Sequence, residues 1–106
     1  MPARIAESDF DSEVLKSGLP VLVDFYSDSC IPCKRMSPVL SQLESEYGDK
    51  IRIVKVNINF EKNLVEKYQI QAAPTLVLFN NGVEVSRIRG AVKKDDIIEL
   101  INSFLN

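Results

Sequence analysis

The sequence predicts an α/β fold, with a mixed five-stranded central sheet flanked by four helices. Three observations carry this. Strand-like runs alternate with segments of helical periodicity through the first three strands, the pattern of parallel strands joined by right-handed crossovers. Val21-Leu22-Val23-Asp24-Phe25-Tyr26 is apolar apart from one acid, which suits a central strand buried on both faces. Asn80-Asn81-Gly82 lies between two further strand-like runs and reads as a hairpin turn, so the closing strands are antiparallel and expected at an edge of the sheet. The 106 residues fit one compact domain, 1–106, without a linker, repeat or low-complexity segment.

In chain order, Arg4-Ile5-Ala6 is a short first strand. Ser8 or Asp9 caps a helix running to about Ser17, with Phe10 and Val14 on one face. Gly18 stops that helix and Pro20 guards its exit. The buried strand Val21 to Tyr26 follows. Met36, Val39, Leu40, Leu43 and Tyr47 then recur at helical spacing until Gly48 and Asp49; Pro38 lies inside this helix, where a missing N–H favours a kink. Ile51 to Ile58 is a β-branched strand. Leu64, Val65 and Tyr68 mark a short helix, and Thr75 to Phe79 another buried strand. Val83 to Ile88 completes the hairpin, and Ile97, Leu100, Ile101 and Phe104 share a face of the last helix.

Thirteen basic against fifteen acidic residues give a net charge of −2. No basic excess favours nucleic acid or a membrane surface. The opening Met1-Pro2-Ala3-Arg4 lacks the apolar run of a secretory signal, and no segment is long enough to span a bilayer. A soluble cytoplasmic protein is therefore expected, acting as a monomer. There are two cysteines and no histidine. Two cysteines alone cannot close a four-ligand zinc site, and Cys-His and Ser-His pairs are excluded. In an intracellular protein a close Cys pair is redox-active or metal-binding more often than structural.

Cys30-Ile31-Pro32-Cys33 falls between the buried strand and the amphipathic helix. A helix N-terminus offers unpaired N–H groups and about half a positive charge, both of which favour a thiolate. Cys30 is thus the expected nucleophile, with its pKa lowered. Pro32 suits the first helical turn, and Cys33, further in, is the expected resolving thiol. A static disulfide closing so short a loop would stabilise little. A cluster shared by two chains, with two thiolates from each, is a further possibility. Asp24 interrupts an apolar strand, where burial raises a carboxyl pKa. It is a candidate general base for Cys33, directly or through a water; alternatively it is a structural carboxylate. Lys55, on the neighbouring strand, either partners Asp24 or is a solvated surface lysine.

Together these stretches resemble the thioredoxin family from about Arg4 onward. They are Val21 to Tyr26, Cys30-Ile31-Pro32-Cys33-Lys34, Pro38, Lys55-Val56-Asn57, Ala73-Pro74-Thr75, Asn81-Gly82 and Gly90-Ala91. The resemblance implies the thioredoxin fold and a protein-disulfide oxidoreductase; no G-x-G-x-x-G follows a strand, so no cofactor of its own is expected. It implies a cis bond before Pro74, which faces the Cys pair. Ala73, Thr75, Gly90 and Ala91 would line a shallow apolar docking surface for an extended substrate. The family's Trp-Cys-Gly-Pro-Cys is Ser29-Cys30-Ile31-Pro32-Cys33 here, and a common Trp at the strand end is Tyr26; the chain has no Trp. Ser29, Ile31 and Tyr26 therefore alter the surface a partner meets. Asp28 opposes a thiolate at Cys30, while Lys34 and Arg35 favour it. The expected function is disulfide reduction, with disulfide-containing proteins as substrates, an atypical partner set, and electrons from a separate thioredoxin-reductase-type donor. The alternatives are an oxidase or isomerase of higher potential, and a binding or cluster module without turnover.

Overall fold

A computed structural model describes residues 1–90 and 92–105. The elements run β1 (Ala3–Arg4), α1 (Glu7–Phe10, continued by a π-helical turn over Asp11–Leu15), β2 (Val21–Tyr26), α2 (Ile31–Tyr47), β3 (Arg52–Asn57), α3 (Lys62–Lys67), β4 (Thr75–Asn80), β5 (Val83–Arg89) and α4 (Lys94–Leu105). The expected five strands and four helices are present in the expected order. The sheet order is β1-β3-β2-β4-β5. β1 and β2 both pair with β3 in parallel, whereas β4 is antiparallel to β2 and to β5. The hairpin therefore contributes only one edge strand. β4 lies inside the sheet beside β2, as its buried Thr75 to Phe79 requires.

β2 is buried at every position, and its alternating side chains join two cores. Val21, Val23 and Phe25 pack with Phe10, Val14, Leu64 and Phe79 on the α1/α3 side. Phe10, Tyr68 and Phe79 form an aromatic trio with ring centroids 5.2–5.6 Å apart. Leu22 joins Met36, Leu40, Leu43, Ile97 and Ile101 on the α2/α4 side. No helix among the described residues is long and apolar enough to cross a membrane.

Two local expectations shift. β1 covers Ala3–Arg4 rather than Arg4 to Ala6; the Ile5 N–H still reaches the Lys55 carbonyl at 2.9 Å. The first helix begins after Ala6, so Ser8 and Asp9 lie within its first turn and no side chain of the cap residue closes it. Instead Glu61 Oε1 accepts the Glu7 N–H at 2.9 Å. A distant side chain has replaced the local cap. α2 runs through Pro38 to Tyr47. At the hairpin, Asn81 (φ 51°) and Gly82 (φ 80°) are both left-handed, as a two-residue primed turn demands.

Candidate active site

The sheet topology gathers the site at one end. β2 ends at Tyr26 and leads through Ser27 to Cys30. Its antiparallel neighbour β4 begins there, with Thr75 opposite Phe25, and β5 ends there, with Arg89 opposite Thr75. The segments before β4 and after β5, carrying Ala73-Pro74 and Gly90, are thereby delivered to the end where α2 starts. The Ala73–Pro74 bond is cis. Pro74 is buried, and its carbonyl accepts the Gly90 N–H at 2.8 Å. Gly90 has φ +83°. Ala73 is half-buried.

Cys30 is the N-cap of α2 in extended conformation, with Ile31 and Pro32 in the first turn. The Cys33 N–H donates to Cys30 Sγ at 3.1 Å, so sulfur occupies the position a Ser or Asp oxygen normally takes at a helix start. The two cysteines are joined as a disulfide with Cα atoms 5.2 Å apart. Cys33 is 4% exposed, whereas Cys30 is half-buried. Ile31 is 61% exposed beside them.

Asp24 is 1% exposed, and neither carboxylate oxygen has a hydrogen-bond partner. Burial pushes its carboxyl from the ordinary 3.8 up to about 6, against the opposing pull of Lys55. Asp24 and Lys55 are direct neighbours in the β2–β3 register. They form no ion pair, however; the ammonium lies over the Tyr26 ring, 4.4 Å from its centroid. Lys55 is therefore neither a direct salt-bridge partner nor a freely solvated side chain. Tyr26 is buried and walls a cleft of about 310 Å³ shared with Arg4, Ser27, Asp28, Cys33, Lys34, Ser37 and Lys55.

One sequence-based assignment changes. Thr75 is 2% exposed and its hydroxyl donates to the Ala72 carbonyl at 2.7 Å, so it shapes the loop instead of lining a docking surface. Ser29 is exposed as expected at the surface, and its hydroxyl bonds Ser27 Oγ at 3.0 Å. Ala91 lies outside the described residues. Sequence reading missed a set of ties from this loop to the one after β3. Asn59 Nδ2 donates to Ser27 Oγ at 3.2 Å, and Asn57 Nδ2 to Asp28 Oδ2 at 3.2 Å. The only signal was a pair of asparagines at and just beyond the end of a strand, Asn57 and Asn59, which ordinarily mark a turn.

A cysteine pair closed into a disulfide at a helix N-terminus, at the end of a mixed sheet to which a cis-proline is also delivered, defines a disulfide oxidoreductase. Residues 2–103 match the Thioredoxin family. The chain is 36% identical over 103 residues to "Thioredoxin" of Rickettsia bellii, covering 97% of this chain and 98% of that one. It is 35% identical over 103 residues to "Thioredoxin 1" of Synechococcus elongatus, covering 97% and 96%. It is 41% identical over 98 residues to "Thioredoxin Y, chloroplastic" of Oryza sativa, covering 92% and 58%. This chain belongs to the thioredoxin family.

Proposed function

We propose that the chain is a single thioredoxin domain, 1–106, that reduces protein disulfides in the cytoplasm as part of thiol redox homeostasis. The Cys30 thiolate attacks a substrate disulfide. The substrate S–S bond breaks, one substrate sulfur leaves as a thiolate, and the other is held in a mixed disulfide with Cys30. Asp24 accepts the Cys33 proton, and the Cys33 thiolate then attacks Cys30 Sγ. The second substrate thiolate leaves, and the chain keeps the Cys30–Cys33 disulfide. Two electrons have passed to substrate, and a separate thioredoxin-reductase-type protein restores them to the pair.

The observation that carries this reading is the Cys33 N–H directed at Cys30 Sγ at the α2 N-terminus. After reduction the same N–H and the helix dipole stabilise a Cys30 thiolate. The buried Cys33 and Asp24, an unpartnered carboxyl with its pKa near neutrality, suit resolution and proton transfer. Pro32 lies in the first turn of the helix; Ala73, Pro74 and Gly90 form the backbone surface on which an extended substrate lies. The exposed Ile31 and the Ser29 beside it narrow the partner set relative to a Trp-Cys-Gly-Pro-Cys surface.

The test is the midpoint potential of the Cys30/Cys33 couple in graded thiol–disulfide buffers. A two-electron transition at or below about −250 mV is expected for a reductase, and one above roughly −200 mV would replace this reading with an oxidase or isomerase. Absence of any reversible transition would leave only a binding or cluster module.

A further inference from the structure

The cleft behind the disulfide carries an unbalanced charge. Arg4 in β1 pairs in register with Lys55 in β3, which pairs with Asp24 in β2. Partners in parallel strands project to the same face, so two cations stand side by side, an arrangement that destabilises a sheet unless something offsets it. Both sit over one ring: the Arg4 guanidinium lies 5.8 Å and the Lys55 ammonium 4.4 Å from the Tyr26 centroid. Lys34, on the first turn of α2, lines the same cleft with Cys33, Ser27 and Ser37. None of the three cations forms an ion pair among the described residues. The lining carboxylate, Asp28, accepts a hydrogen bond from Asn57, and Asp24 neighbours Lys55 in register without an ion pair, so three cations face two carboxylates. The cleft, about 310 Å³, reaches the size of a small-ligand pocket. The chain as a whole is acidic, with a net charge of −2, so this excess of cations is local.

We infer that the Arg4–Lys34–Lys55 cleft binds a carboxylate carried by the disulfide substrate, selecting acidic partners. Cys33 lines the cleft, so the bound carboxylate lies beside the reacting pair. The inference rests on the disulfide-reductase reading and names a substrate class for it. Tyr26 contributes by holding two cations through its ring face. Arg4 and Lys34 are specificity residues, remote from bond making.

Two experiments test it. In the first, the reduced protein is offered 3,3′-dithiodipropionate (two carboxylates), 2-hydroxyethyl disulfide (neutral) and cystamine (two ammonium groups). Expected is a kcat/KM order of dianion, neutral, dication. The dianion-to-neutral ratio should fall about two- to five-fold for each of Arg4→Gln and Lys34→Gln, through KM, and should shrink with added salt. An unchanged ratio, or a fall through kcat, overturns the inference. In the second, the oxidised protein is titrated with succinate while backbone amide NMR shifts are followed. Saturable shifts at Tyr26 and Ser37, weakened in Arg4→Gln and accompanied by competition with dithiodipropionate, support the site. Absence of saturable shifts overturns it, and binding without competition shows a site for free acids and overturns the substrate assignment. Should none of the three disulfides be reduced, the reductase reading fails, while the titration still decides whether the cleft binds a carboxylate.

Discussion

On one face of β2 stand Val21, Val23 and Phe25; on the other stand Leu22, Asp24 and Tyr26. The first set packs into a cluster of apolar and aromatic residues. The second shares its face with Lys55, Arg4 and Cys33. One strand thus contributes to an uninterrupted core on one side and to a charged, reactive cleft on the other. The α1/α3 face is built for stability, whereas the α2/α4 face gives some up, because a buried carboxyl without a hydrogen bond is costly.

Substitutions should separate the two faces. The largest effect is on the reactive side: Cys30→Ser is expected to reduce protein disulfides no faster than the uncatalysed reaction. Cys33→Ser should stall as a mixed disulfide visible by intact-mass spectrometry. Phe79→Ala, on the opposite face, should cost about 3–5 kcal/mol in urea unfolding while leaving the midpoint potential where it was. A large change in potential would mean the faces are not separable.

Asp24→Asn is the sharpest intermediate case. The folded-state carboxyl, at about 6, holds its proton more tightly than an ordinary one at 3.8. The folded state therefore binds more protons than the unfolded chain between these values, so its stability is fullest below the lower pKa and falls as pH rises through the upper. The shift corresponds to about 3 kcal/mol. Asp24→Asn should consequently be more stable than the parent at pH 8, with the difference shrinking toward pH 4, as measured by paired denaturation curves. Its resolving step should slow about 10²-fold near neutrality, read as longer-lived mixed disulfide. The smallest effect belongs to Lys55→Met. Losing the attraction that holds the Asp24 carboxyl down should move its titration above about 6, followed by NMR of the side-chain carboxyl.

Much of this was legible in the sequence because the signals are local. The apolar run with one acid marked β2 and Asp24 together, and Asn81-Gly82 marked the hairpin. Cys30 to Cys33 between strand and helix marked the reactive pair. What was illegible depends on partners far along the chain. Ser8 and Asp9 have the chemistry of a cap, yet Glu61 supplies the bond at the start of α1. Thr75 stands in a run read as a buried strand, and pairing opposite Phe25 buries it; the bond from its hydroxyl to the Ala72 carbonyl was the part without a local signal. The cation cleft could not be read at all, since Arg4 and Lys34 meet Lys55 only through the order β1-β3-β2 and the packing of α2 upon it.

The bond from Glu7 N–H to Glu61 Oε1 spans 54 positions, and it bears on the order in which the molecule assembles. α1 has four residues before its π turn and no cap of its own, so it is too short to persist alone. It locks only after β3 has paired and the loop beyond it has come round. α1 is therefore expected to be among the last elements to lock, and its amides should exchange with solvent before those of α2 do.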